Sequence, residues 1–112
     1  MRVAKILYKD EEAGVLTQHD DGSFTFRYSP SWVEDRNKPG ISLSLPKTEQ
    51  KDHSKFLFPF FFNMLPEGSN KQVVCRHYRI DQNDYFGLLM TTAKNDTIGA
   101  VRVVKIETNE FA

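Results

Sequence analysis

Over the first 28 residues, hydrophobic and polar positions exchange places with the period of a strand. Residues 3–8 mix β-branched and large apolar side chains over a strand-like length, 9–12 form a charged turn, and 13–18 read as the returning strand. His19-Asp20-Asp21-Gly22 is a hairpin signal, because an Asp-Gly pair accepts the positive φ angles of a tight turn. Phe24, Phe26 and Tyr28 then alternate with Ser23, Thr25 and Arg27, as in a half-buried strand. The segment predicts an antiparallel meander with one aromatic face.

Beyond it the period changes. Residues 30–36 predict one or two helical turns beginning near Ser29 or Pro30. Ile41, Leu43 and Leu45 alternate with Ser42 and Ser44, which predicts a short strand ended by Pro46. Residues 47–55 are polar and patternless, a surface loop with Ser54 as a cap candidate. Five of the nine phenylalanines then fall within 56–62. Full burial of each ring contributes about 1.5–3 kcal/mol, so the run predicts a core helix, apolar on nearly all sides. Pro59 fits its first turn, and Pro66 with Gly68 ends it.

Ser69 and Gln72 have capping-box spacing for a second helix over 70–79. Val73, Val74 and Tyr78 are expected inward, and Lys71, Arg76 and Arg79 outward. Asp81 or Asn83 would cap a third helix, in which Phe86, Leu89, Met90 and Ala93 share one face. A turn at 94–97 leads to a nearly continuous apolar strand, 99–106, expected in the interior of the sheet. The fold class expected is α+β: a mainly antiparallel sheet, N-terminal meander plus C-terminal strand, with about three helices on one face. One domain covers 1–108, and 109–112 form a frayed tail.

Composition narrows the chemistry. Lysine plus arginine balances aspartate plus glutamate at 15 each, which argues against binding nucleic acid through phosphate neutralisation. The single cysteine, Cys75, cannot form an internal disulfide, and the N-terminus has no secretory signal, so the expectation is a cytoplasmic chain. No apolar run reaches the roughly 20 residues needed to span a bilayer. The glycines are isolated and cradle no phosphate. Asp84-Tyr85-Phe86-Gly87 superficially matches a kinase metal-binding triplet but has an extra residue, and reads as a helix cap followed by core. Cys75 and His77 sit near each other on a helix without facing each other. His19, His53 and His77 lack metal-ligand spacing. The reading is no enzyme, no cofactor and no metal. Trp32 is either core or, with Arg36, an interface anchor, since tryptophan and arginine are enriched at hot spots. The corner Glu67-Gly68-Ser69 after Pro66 is either plain turn chemistry or a contact loop.

Four blocks resemble a known family: Phe26-Arg27-Tyr28-Ser29-Pro30-Ser31-Trp32, Ser42-Leu43-Ser44-Leu45-Pro46, Phe61-Phe62-Asn63-Met64-Leu65-Pro66-Glu67-Gly68 and Asp96-Thr97-Ile98-Gly99-Ala100-Val101. In this order they resemble the N-terminal subdomain of HipA-type toxin kinases, over about residues 3–106. That subdomain precedes a serine/threonine kinase core, none of whose nucleotide-binding or catalytic motifs is present here. As a separate chain it resembles the HipS antitoxins of tripartite HipBST toxin–antitoxin systems. The resemblance implies an antitoxin that neutralises a HipT-like kinase by direct binding, in a complex with a HipB-like helix-turn-helix DNA-binding protein. Trp32, Arg36, Glu67, Gly68 and Ser69 are its candidate partner contacts. The alternative is an assembly or activating subunit that completes the kinase fold; a further reading, a truncated fragment of a larger kinase, is one that a native stop codon after Ala112 would exclude.

Overall fold

The computed structural model describes residues 1–42, 45–47, 51–93 and 100–106. The expected meander is present: β1 (Arg2–Tyr8), β2 (Glu11–Gln18) and β3 (Phe24–Tyr28) pair antiparallel in sequence order. Gly22 turns the β2–β3 hairpin at φ +89°, and its amide donates to the His19 carbonyl at 2.9 Å. Helix α1 (Pro30–Glu34), strand β4 (Lys51–Ser54), helices α2 (Pro59–Phe62), α3 (Gly68–Tyr78) and α4 (Tyr85–Thr92), and strand β5 (Val101–Lys105) follow. Among the described residues the sheet has five antiparallel strands in the order β4-β3-β2-β1-β5.

One sheet face carries the core. Ile6, Leu16, Phe26 and Val103 are fully buried there, and the helices cover them. Trp32 meets Tyr8 at 5.5 Å between ring centroids, Phe61 meets Phe26 at 5.8 Å, and Phe86 stacks on Phe24 at 6.1 Å. Gly14 is required by close approach: a Cβ there would lie 2.5 Å from the Arg27 carbonyl oxygen and 2.9 Å from the Phe26 ring. The fold is α+β with helices on one face of the sheet, as expected.

Several elements differ from expectation for identifiable reasons. The polar loop expected over 47–55 contains β4, an edge strand that needs no apolar alternation because its inward-facing Asp52 and Ser54 are only half-buried at the margin of the core. β5 lies at the other edge rather than inside the sheet. Its apolar residues Val101 and Val103 face the core, and its open side is partly met by α4, the Val103 amide donating to the Ala93 carbonyl at 3.0 Å. The phenylalanine run gives one helical turn instead of a helix buried all round. Phe58 and Phe61, three apart, face inward and are buried, whereas Phe56 and Phe62 are 78% and 47% exposed.

α3 begins at Gly68 after Glu67 as N-cap, with no side-chain cap, so Ser69 does not serve as one. Cys75 is its buried residue, while Val73 and Tyr78, expected inward, are 61% and 54% exposed. α4 is capped by Asp84, whose side chain accepts from the Gly87 amide. Asp81 instead accepts from the Asn83 amide at 2.8 Å, closing a local turn. Phe86, Leu89, Met90 and Ala93 are buried as the helical spacing required, together with Leu88. Of the strand expected at 41–45, Ser42 and Leu45 form an isolated bridge, and Ile41 and Leu45 enter the core. Leu43, the turn at 94–97 and the tail at 109–112 lie outside the described residues.

Candidate partner-binding surface

The site is built where α2 and α4 meet. α2 is one turn long because Pro59 fixes its start and Asn63 ends it, so Phe62 projects from the helix rather than under it. The Asp84 cap sets where α4 begins and puts Tyr85 on its first turn. The two rings meet edge to face, with centroids 5.5 Å apart. Aromatic pairs of this geometry contribute about 0.5–1.5 kcal/mol beyond area burial, enough to hold a half-exposed ring in place. The Lys71 ammonium sits over Tyr85, 5.3 Å from its centroid, and ties α3 to the same point.

Phe62 and Tyr85 form a ridge between two hollows of about 270 Å³ each. One is floored by Phe24 and Leu57 and rimmed by Phe56 and Lys55; the other is bounded by Leu65, Pro66, Glu67 and Gly68. Gly68 holds φ +58°, which bends the chain out of the Pro66 corner into α3. Glu67, Gly68 and Ser69 are exposed along this corner. The ridge thus presents apolar rings with Lys55 on one side, Lys71 on the other and the Glu67 carboxylate at the corner.

Behind the ridge a charged clamp fixes the geometry. Arg2 donates to both carboxylate oxygens of Asp84, at 2.5 and 3.1 Å, and its guanidinium lies over Phe86, 5.1 Å from the ring centre. The hydrogen bond from Arg2 holds the Asp84 carboxyl below its ordinary range against the opposing effect of burial. Among the described residues no three histidine, cysteine, aspartate or glutamate side chains converge on a metal-sized site, and no helix is long and apolar enough to cross a membrane.

The five residues singled out from sequence divide between two places. Glu67, Gly68 and Ser69 border the ridge. Trp32 and Arg36 lie beyond Tyr8, at the far end of β1, roughly 20 Å away along a seven-residue strand. Trp32 is core in this fold: it is 3% exposed, its indole N–H donates to the Pro39 carbonyl at 2.8 Å, and the Lys38 ammonium covers its ring. Arg36 is exposed. The sequence pattern places Phe56 and Phe62 in the core helix, whereas both rings are exposed. Nothing in the run's composition separates inward from outward rings; only the helix length does.

A profile of the HipA N-terminal domain matches residues 4–104. A Haemophilus influenzae relative, named only as an uncharacterized protein, is 35% identical over 103 residues, covering 92% of each chain. The "Putative kinase Y4mE" of Sinorhizobium fredii is 30% identical over 93% of this chain but only 24% of its own length. The same organism's "Putative kinase Y4dM" is 30% identical over 83% of this chain and 24% of its own. This chain thus spans about a quarter of those longer relatives. Among solved structures, the N-terminal domain of HipA toxin superposes with a TM-score of 0.71 at 32% identity, over 96% of this chain and 94% of that one. The chain belongs to the HipA N-terminal domain family.

Proposed function

We propose that this chain is an antitoxin that neutralises a HipA-like serine/threonine kinase toxin by binding it directly, and that it performs no catalysis itself. The observation that supports this reading is the Phe62–Tyr85 ridge, with Phe56 exposed beside it, on a domain that makes up 24% of its longer relatives. In those relatives the rest of the chain adjoins this domain. Supplied in trans, the same domain keeps an aromatic surface suited to a kinase body. Binding beside the nucleotide cleft holds the kinase's lobes or loops unproductive, or blocks its substrate. A HipB-like DNA-binding protein belongs to the same assembly under this reading. The contact centres on Phe56, Phe62 and Tyr85 with the Glu67-Gly68-Ser69 corner; Arg36 is a separate, peripheral contact, and Trp32 supports it from the core.

The test is co-expression with the kinase that co-purifies from the same cells, reading growth and substrate phosphorylation. Restored growth with suppressed phosphorylation is the expected result. Unchanged or increased phosphorylation overturns the antitoxin reading and identifies an assembly or activating subunit. Phe62→Ala should weaken kinase binding by about 2 kcal/mol while leaving the melting temperature near wild type, the signature of a contact residue. Phe61→Ala, at a fully buried ring, should lose about 3–5 kcal/mol of stability and fail through unfolding. Equal binding by wild type and Phe62→Ala would remove the ridge from the interface.

A further inference from the structure

The sheet has a second face, opposite the helices. Strand register places Val104, Lys5, Val15, Arg27 and Lys51 in one row across all five strands of that face. Val3, Thr17, Thr25 and His53 form the neighbouring row. Lys5, Arg27 and Lys51 are exposed, and Val3, Val15 and Val104 are half-buried. None of the three cations joins an ion pair among the described residues, whereas Arg102 on the same face is held by Asp10 at 2.6 Å.

This arrangement is costly to the fold alone. Arg27 and Lys51 are direct cross-strand partners, and like charges so placed repel and destabilise the pair. Lys5 stands two strands from Arg27, about 10 Å away, still near the screening length in physiological salt. The chain is neutral overall, so the row is charge segregation rather than general basicity. Carboxylates from outside would relieve the repulsion.

The apolar content selects the partner class. A single-stranded nucleic acid needs aromatic platforms for its bases, and these two rows carry none but the His53 ring. Valines between cations instead match a protein interface, with an apolar centre and a charged rim. Five strands by about 20 Å give roughly 500 Å², somewhat under the 800 Å² per partner of a standard interface. We propose that this outer sheet face docks an acidic protein segment, its carboxylates on Lys5, Arg27 and Lys51 and its apolar side chains over Val15 and Val104. The inference is independent of the kinase reading, which concerns the helical side.

The probe is a peptide of about twelve alternating Glu and Val residues, an extended length that crosses the sheet. It is titrated into the isotope-labelled full chain, with an alternating Lys and Val peptide and an oligothymidine of equal length as comparisons. Amide shifts should concentrate at Val3, Lys5, Val15, Arg27, Lys51 and Val104. The double substitution Lys5→Glu/Arg27→Glu should weaken binding about tenfold or more. Arg27→Glu alone should raise the melting temperature, because it turns a repulsive cross-strand pair into an attractive one. No binding, shifts elsewhere, equal binding of the basic peptide or tighter binding of the oligothymidine overturns the proposal. A melting temperature for Arg27→Glu at or below wild type removes its premise.

Discussion

The Tyr28 hydroxyl shows how much one polar group holds together. The phenol donates to the Leu45 carbonyl and accepts from the Ile41 amide at 3.0 Å, fastening the connection after α1 to the end of β3. Lys47 assists, donating to the Asp35 and Lys38 carbonyls at 2.6 Å each. Tyr28→Phe preserves the ring but leaves a buried amide and carbonyl without this partner, at a cost of about 1–3 kcal/mol. Urea unfolding should show a lower midpoint at unchanged slope, and an unchanged midpoint would mean the hydroxyl contributes nothing net. Burial also raises the Tyr28 pKa above its ordinary 10.0. Its stabilising contribution is therefore complete below that value and fades as pH rises through the folded pKa, because the unfolded phenol ionises first. Tyr28→Phe should remove this alkaline loss.

Among the elements, α4 depends most visibly on a distant strand. Asp84 caps the helix through the Gly87 amide at 3.1 Å and is gripped by Arg2 of β1, so one carboxylate joins the sheet's first strand to the helix that carries Tyr85. Its pKa is lowered from 3.8, chiefly by the Arg2 hydrogen bond. A depressed carboxylate stabilises the fold above its unfolded pKa, and the contribution disappears as pH falls through the lower, folded value. Asp84→Asn should accordingly lower the melting temperature near neutral pH. The gap between variant and wild type should narrow progressively below pH 3.8, followed by circular dichroism. A gap that stays constant through the acid range would show that the ion pair contributes nothing.

At the scale of the whole molecule, the two sides of the sheet carry two different surfaces, each proposed for a different partner. The helical side offers aromatic rings, and the open side offers cations among valines. If the kinase occupies only the helical side, kinase at about 100-fold above its Kd should stabilise the labelled chain by about 2.7 kcal/mol, read by hydrogen exchange. Phe62→Ala should abolish most of that protection, and Arg27→Glu should leave it intact. Loss of protection in Arg27→Glu would place the kinase on the open face as well.

Much of this was legible along the chain. Period-two alternation made the meander certain once Asp21-Gly22 supplied the hairpin, and the four-residue spacing of Phe86, Met90 and their neighbours determined α4. Both signals are local, and local spacing decides which side of an element turns inward. The absence of recognisable catalytic motifs was equally a property of the sequence. What local spacing could not carry was decided by neighbours in space. β4 is polar and became a strand because β3 offered it an edge. β5 is apolar yet took the opposite edge because β1 had one side open. Five phenylalanines read as one core helix, but a single turn between Pro59 and Asn63 had room to bury only part of the run. The rings left outside are the surface that the functional reading rests on.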